Sequence, residues 1–357
     1  MNGKYSTDIL IEGNNLSASA IAYYISLSNP QEDITLLQRE DKSNLIPFIT
    51  PSILLPVYKL QSSMMEKAFV QNGLLLEDLH SVTSHFELTK NPLAILFRNK
   101  NRPNLMEKFL SKISNTKIKH TNYSPEDIAR DYSFINSEDE VFLTEIYGSY
   151  TCSNIPDLMI TYNKLAEENN VHIINETDSL RFEKESSNFE SKNYSYESRN
   201  TIISTSLDIF PNIAIQEVKG VKITTPIIEK FPRISLYDID TASFMWLEEA
   251  GYFHIFRLFE ELDTKDIKER TKDLFLSIFP HIETLEIVDE ISAKILHQKS
   301  VKESIKRNIN TKLIHFTLPI EYEFSLSAVL AENLSKIISK QEKDKIANIS
   351  IKNLLNI

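Results

Sequence analysis

Apolar and polar positions fall into short blocks with two distinct periods. Asp8-Ile9-Leu10-Ile11 is an apolar run that stops at Gly13. An Ala-rich helical segment is predicted from about Leu16 to Leu27. Asn29-Pro30 ends it, because proline lacks an amide hydrogen and biases the residue before it away from helix. Ile34-Thr35-Leu36-Leu37 then reads as a second strand. Strand, crossover helix and strand within about thirty residues make a βαβ unit at the start of the chain.

The same reading continues to the far end. Helices are predicted over Ser62–Asn72, Arg102–Ser111, Ser124–Arg130, Asn154–Asn169, Thr264–Ile278 and Ser325–Ser339. Two of them carry clear start signals. Ser124-Pro125-Glu126-Asp127 and Asn154-Ile155-Pro156-Asp157 place a capping side chain before a proline, with acids in the first turn. The segment from His85 to Phe97 suggests a hairpin-like pair of strands, and Lys117–His120 and Val141–Tyr150 suggest further strands. A run of strands follows between Val171 and Thr205 and a second β-rich stretch from Val218 to Phe256. Ser300–Asn310 reads as a solvated loop or short helix, and the tail from Ile349 to Ile357 as a loosely docked end.

The first turn carries the candidate chemistry. A helix that begins right after a strand exposes its first amide hydrogens, which suit a pyrophosphate. The full dinucleotide signal is G-x-G-x-x-G with an acid at the end of the second strand for the ribose hydroxyls. Here the turn is Gly13-Asn14-Asn15-Leu16-Ser17-Ala18, and Gln38 stands in place of the acid, followed by Arg39. Asn15 is a residue type that tolerates left-handed backbone and so can make the turn. Ala18 is small enough for close helix–strand contact, and Gln38 offers a neutral acceptor. A weakened nucleotide site and a βαβ unit kept for folding alone are both open on this turn.

Composition narrows the classes. A net charge of −11 argues against a general nucleic-acid or anionic-membrane binder. No apolar run reaches the length of a membrane span. A cytoplasmic location is the expectation. Cys152, the single cysteine, excludes an internal disulfide and reads as a small buried hydrophobe. Eight histidines lack metal-ligand spacing, so no metal site is predicted. The six glycines are the informative number. Ordinary usage would give roughly 25 in a chain of this length, and proteins that wrap backbone around dinucleotides need many.

The order of these pieces resembles the FAD-dependent oxidoreductases of the D-amino-acid oxidase and glycine oxidase type. Asp8–Ile25 resembles that family's opening strand, turn and helix, and Ile34–Asp41 its second strand. Tyr147-Gly148-Ser149, Asn154-Ile155-Pro156-Asp157-Leu158 and Val171–Thr177 resemble its strand, helix and V-x-I strand. Asn200–Ser206 resembles the strand that ends in an Ala-Thr-Gly turn, and Lys219–Ile223 the entry to the substrate domain. Leu313–Ile338 resembles the closing strand, flavin-side loop and last helix. The resemblance implies a mixed α/β fold: a Rossmann-like FAD-type domain from 1–80, 141–215 and 305–357, and an antiparallel β-sheet substrate domain with helices from 81–140 and 216–304. It implies FAD as cofactor, contacted by Gly13, Asn14, Asn15, Leu16, Ala18, Gln38, Arg39 and Ser206. It also implies an amine or amino acid as substrate, with Arg257 as a candidate carboxylate ligand. The residues nominate no catalytic base.

The departures from the family pattern are systematic. The turn keeps one glycine of three, and the late turn ends at Ser206 rather than glycine. The Ser/Gly-rich loop along the cofactor is here Ser43-Asn44-Leu45-Ile46-Pro47-Phe48, and the Arg-Pro-x-x-x-Asp-Gly region is Leu296-His297-Gln298-Lys299-Ser300. The Gly-rich flavin loop is Leu318-Pro319-Ile320-Glu321-Tyr322-Glu323-Phe324. Bulky side chains and two carboxylates there are expected to fill the flavin's space. Two readings follow: a flavoprotein that oxidises an amine or amino acid, and a flavin-free pseudoenzyme that serves as a binding or scaffold subunit for a protein partner.

Overall fold

The computed structural model describes residues 3–39, 45–83, 85–98, 103–137, 141–177, 181–183, 188–204, 215–226, 234–247, 252–259, 266–282, 285–298, 301, 305–307, 312–340 and 349–356. The chain opens with β1 (Gly3–Glu12), α1 (Leu16–Ser28), β2 (Ile34–Arg39), α2 (Ile46–Ile49) and α3 (Ser62–Val82). It continues through β3 (Leu88–Lys90), β4 (Leu93–Phe97), α4 (Pro103–Ser114), β5 (His120–Tyr123), α5 (Pro125–Asp131), β6 (Phe142–Ile146) and β7 (Tyr150–Cys152). Next come α6 (Ile155–Glu168), β8 (His172–Glu176), β9 (Arg181–Glu183), β10 (Asn188–Glu190), β11 (Tyr194–Ile203) and β12 (Ile215–Pro226). The remainder is β13 (Ser235–Asp238), β14 (Ser243–Leu247), β15 (Tyr252–Phe259), α7 (Ile267–Ile278), β16 (Asp289–Gln298), β17 (Ile305–Arg307), β18 (Leu313–Phe316), α8 (Glu323–Ser339) and α9 (Ile351–Leu355).

Two large sheets organise these elements. The first has the order β17-β18-β11-β1-β2-β8, and every pair from β18 to β8 is parallel. Its central strand β1 reads as a continuous buried run at Ile9–Glu12, as parallel strands covered on both faces do. The helix α1 is buried nearly all round, because α6 and α8 pack on the sides the sheet leaves free. The second sheet has the order β16-β12-β15-β14-β13-β4-β6-β5 and is antiparallel except at β13–β4. A mixed α/β fold with a Rossmann-like parallel sheet and a second, mainly antiparallel sheet is therefore present.

The capping signals act as their residue types dictate. The Ser124 hydroxyl accepts from the Asp127 amide while the Asp127 carboxylate accepts from the Ser124 amide, a reciprocal capping box. Asn154 caps α6 through the Asp157 amide at 2.8 Å. Three local expectations change. The segment 85–97 is no hairpin: β3 pairs with β7, and β4 with β6 and β13 in the other sheet. The pairing partners lie more than 40 residues away, beyond the reach of local periodicity. Part of 300–310 forms the strand β17, whose Ile305 is fully buried against the first sheet. The tail is not loosely docked either, since Ile351, Leu354 and Leu355 of α9 are buried against α8 and α3.

One apolar cluster runs through both sheets. It joins Ile9, Ile11 and Ile21 to Leu326, Val329 and Leu330, and onward to Tyr237, Phe244, Trp246 and Phe256 of the second sheet. A separate cluster fills the far side of the second sheet under α5 and α7. Burial of Leu355 at the end of the chain gives a direct test. Leu355→Ala is expected to lower stability by about 2–4 kcal/mol, the range for a buried leucine truncation, measured by urea denaturation. A change below about 0.5 kcal/mol, the surface-substitution range, would mean that α9 is not part of the core.

Candidate functional site

The site lies where the order of the first sheet reverses. From β1 the chain moves outward through β2 to β8, then returns to β11 on the other side of β1. Ligands in open α/β sheets bind at such a switch point, outside the carboxyl ends of the strands. Here that point is the turn from Gly13 to Ala18, with the end of β2 on one side and Ser204 on the other.

Gly13 is fixed by close approach. A Cβ at this position would stand 3.0 Å from the Cβ of Ala18 and 3.0 Å from the Cβ of Ser204. Strand, helix and neighbouring strand thus meet at a residue that has no side chain, and Ala18 is the small partner that permits it. Asn14 bridges to the second strand, its Nδ2 donating to the Arg39 carbonyl at 3.3 Å.

Asn15 does not take the left-handed backbone expected of it. Its φ of −148° and ψ of 171° are extended, the ordinary geometry of a helix cap. Its Oδ1 accepts from the Ala18 amide at 2.9 Å and from the Ser204 hydroxyl at 3.0 Å. Its Nδ2 donates to the Ser204 carbonyl at 2.9 Å. One side chain therefore caps α1 and ties it to the end of β11. Leu16 is buried in the core below.

The neighbouring strand ends hold a buried ion pair. Arg39 Nε lies 2.9 Å from Glu12 Oε1, and the Glu12 side chain is fully buried. The acid thus sits at the end of β1 and faces a base at the end of β2. Removing either partner would leave the other charge buried and uncompensated. Gln38 is also buried, opposite Asn175 of β8, and its side-chain Nε2 has no hydrogen-bond partner among the described residues. Ser206 lies outside the described residues, as do Ser43, Asn44, Lys299 and Ser300.

The sequence reading placed two carboxylates in the late loop but not where they point. Glu323, the first residue of α8, is buried and its Oε1 accepts the Ser17 amide hydrogen at 3.1 Å. Ser17 is in the first turn of α1. The carboxyl therefore occupies the open end of one helix while standing in the first turn of another, and both helix dipoles favour negative charge there. Burial outweighs this help and pushes the Glu323 carboxyl up to about 7, against the donors from Ser17 and Leu16. The second carboxylate, Glu321, is buried beside Lys59, with Nζ 3.7 Å from Oε1. Asn72 of α3 clamps this loop: its Nδ2 donates to the Phe324 carbonyl at 2.9 Å and its Oδ1 accepts from the Val329 amide at 3.1 Å. Ser325 Oγ accepts from the Leu55 amide at 2.8 Å.

Buried aromatic rings lie between this loop and the second sheet. Tyr322 and Tyr237 are both buried, and burial raises both phenols well above their ordinary value. Phe244 packs on Tyr237 with ring centres 4.7 Å apart. Arg257 is not part of this face. It shares a face of β15 with Phe253, Ile255 and Phe259, which pack toward α7, whereas Phe256 on the other face packs toward the first sheet. Its guanidinium lies 4.8 Å from the Phe259 ring centre and donates to the Arg270 carbonyl at 3.3 Å. Desolvation and the neighbouring Arg270 lower its pKa. The turn residues Gly13, Asn14, Asn15, Leu16 and Ala18 and the strand-end residues Gln38 and Arg39 are thus assembled together, and Arg257 stands apart from them. Cys152 is fully buried, its thiol donating to the Asn154 carbonyl at 3.2 Å.

The fold is that of the FAD-dependent amino-acid oxidases. The chain is similar to L-proline dehydrogenase from P. horikoshii (TM-score 0.76, 11% identity, 96% of this chain and 95% of that one). It is similar to glycine oxidase from Bacillus cereus (TM-score 0.75, 10% identity, 97% and 98%). It is also similar to L-alpha-glycerophosphate oxidase from Mycoplasma pneumoniae, a structure with FAD bound (TM-score 0.72, 14% identity, 96% and 95%). No family model matches the sequence, and no curated protein matches it. No described helix is long and apolar enough to cross a membrane, and no cluster of potential metal ligands occurs among the described residues.

Two measurements test this geometry. Asn15→Ala removes the cap and the tie to Ser204, and is expected to cost about 1–2 kcal/mol, read by thermal denaturation. An unchanged melting temperature would contradict the structural role. Glu323 carries a folded-state pKa of about 7, above the ordinary 4.5. The folded state thus binds the proton more tightly, so this group's contribution to stability is present at low pH and lost as pH rises from about 4.5 through 7. Glu323→Gln keeps the acceptor oxygen and is expected to flatten that part of the stability–pH curve; identical curves for both proteins would refute the assignment.

Proposed function

We propose that this chain is a flavin-free relative within the amino-acid oxidase fold, acting as a binding or scaffold subunit rather than oxidising an amine or amino acid. The observation that carries this reading is the Glu323 carboxyl at the N-terminal turn of α1, 3.1 Å from the Ser17 amide. In this fold a dinucleotide places its pyrophosphate at that helix terminus. The residues present do not fit that group. A buried carboxyl already takes a helix amide, and an incoming phosphate would meet its volume and compete for the same donor. The Asn15 side chain closes the same turn through Ser204, where glycine would leave backbone exposed. The buried Glu12–Arg39 pair turns the strand-end polar groups toward one another.

One observation favours the alternative, an FAD-dependent amine or amino-acid oxidoreductase. The buried Gln38 amide nitrogen has no partner among the described residues and lies at the strand end where a ribose would be held. In that reading FAD sits along Gly13–Ala18, Gln38, Arg39 and Ser206. The net charge of −11 goes against nucleic acid as partner in either reading.

An absorbance spectrum of the purified protein, repeated after incubation with excess FAD and desalting, separates the two. The flavin-free reading expects no flavin bands before or after. Bands near one flavin per chain would overturn it and call for a screen of amine and amino-acid substrates.

A further inference from the structure

A second concavity lies away from the first turn. It is a cleft of about 430 Å³ between α3 and the connection from β6 to β7. That volume is in the range of small-molecule sites. The face of α3 contributes Phe69, Val70, Gly73 and Leu74, spaced so that all point to one side of the helix. Phe69 is buried, whereas Val70 and Leu74 are 49% and 54% exposed. Tyr147 across the cleft is 40% exposed. Isolated exposed apolar side chains are ordinary on a surface; three that share one concavity are not. Gly73 shapes the floor, since a Cβ there would lie 3.0 Å from Cε2 of the Tyr150 ring. The missing side chain lets that ring close against the helix.

The charge of the cleft opposes that of the chain. Lys90, Lys117 and Lys119 line it against a single acid, Glu77, in a protein of net charge −11. Glu77 is engaged already: it accepts from the Tyr150 hydroxyl and lies 3.5 Å from Lys90 Nζ. Lys117 and Lys119 are exposed, and no described carboxylate lies within ion-pair distance of either ammonium. The nearest recorded acid contact is through backbone, where the Lys117 amide donates to Glu66 at 3.0 Å. Two unpaired cations beside an apolar floor form a site for an anion with an apolar body.

We propose that this cleft binds a small amphipathic carboxylate, its apolar part on Val70, Leu74 and Tyr147 and its carboxylate at Lys117 and Lys119. The proposal does not depend on whether the chain holds FAD, because none of these residues belongs to the first turn or its surroundings. Isothermal titration calorimetry of the full chain with 4-phenylbutyrate, and with the neutral 4-phenylbutyramide, tests it. Saturable binding of the acid is expected, weakening with added sodium chloride and about tenfold weaker for the amide, the scale of a lost charged hydrogen bond. The variant K117E/K119E changes exposed side chains only, and its circular dichroism melt should match the parent. It is expected to bind the acid at least about tenfold more weakly. Leu74→Arg, also exposed, is expected to weaken acid and amide alike. Equal affinity for acid and amide, unchanged affinity in K117E/K119E, or no saturable binding of the acid would each overturn the proposal. An acidic peptide that bound where the phenylbutyrate did not would assign the cleft to a protein partner and overturn it as well.

Discussion

The hydrogen bond from the Ser17 amide to the Glu323 carboxyl ties together the two ends of the parallel layer. A helix that starts at a sheet's centre leaves its first amides unsatisfied and its positive dipole end exposed. Something acceptor-rich must sit there. In this chain the acceptor is covalently part of the protein, delivered by the first residue of α8 from more than 300 positions away. The result is a junction in which α1, α8 and the end of β1 are satisfied internally. A carboxyl held in this way resists ionisation because burial costs the charge more than the donors return.

The surrounding residues follow from the same constraint. Once Glu323 closes the helix end, the late loop must be rigid enough to hold it. Asn72 and Ser325 fasten that loop to α3 and to the Leu55 backbone. The aromatic rings of Tyr237, Phe244 and Tyr322 then close the space between the sheets, extending one apolar core across both. Asn15 fits the same scheme. A glycine would leave the crook of the turn open, whereas asparagine spans it and bonds Ser204 with both ends of its amide.

What remains exposed differs in character from what is closed. At the first turn, amides and side chains bond to one another, as Ser17 to Glu323 and Asn15 to Ser204, while the cleft beside α3 keeps apolar surface and lysines in contact with solvent. In a chain of net charge −11 this cationic, partly apolar cleft stands out from the rest of the sequence's charge balance.

The sequence by itself determined the local elements and their order. The βαβ start, the caps at Ser124 and Asn154, and the helical pattern of α8 rest on interactions between residues within a few positions of one another. The family likeness was legible for the same reason, since the order of elements survives at identities near 10%. The turn's departures were equally plain as missing glycines. Only the tertiary structure decided what those departures do. Asn15 reaches Ser204, Glu323 reaches Ser17, and β3 leaves its neighbour β4 to pair with β7. Arg257, readable as a carboxylate ligand from its residue type, is sent to the α7 side of the sheet by the alternation of β15. Each of these pairings is a choice among distant partners, fixed by which faces the packed sheets leave to be buried, and no local pattern records it.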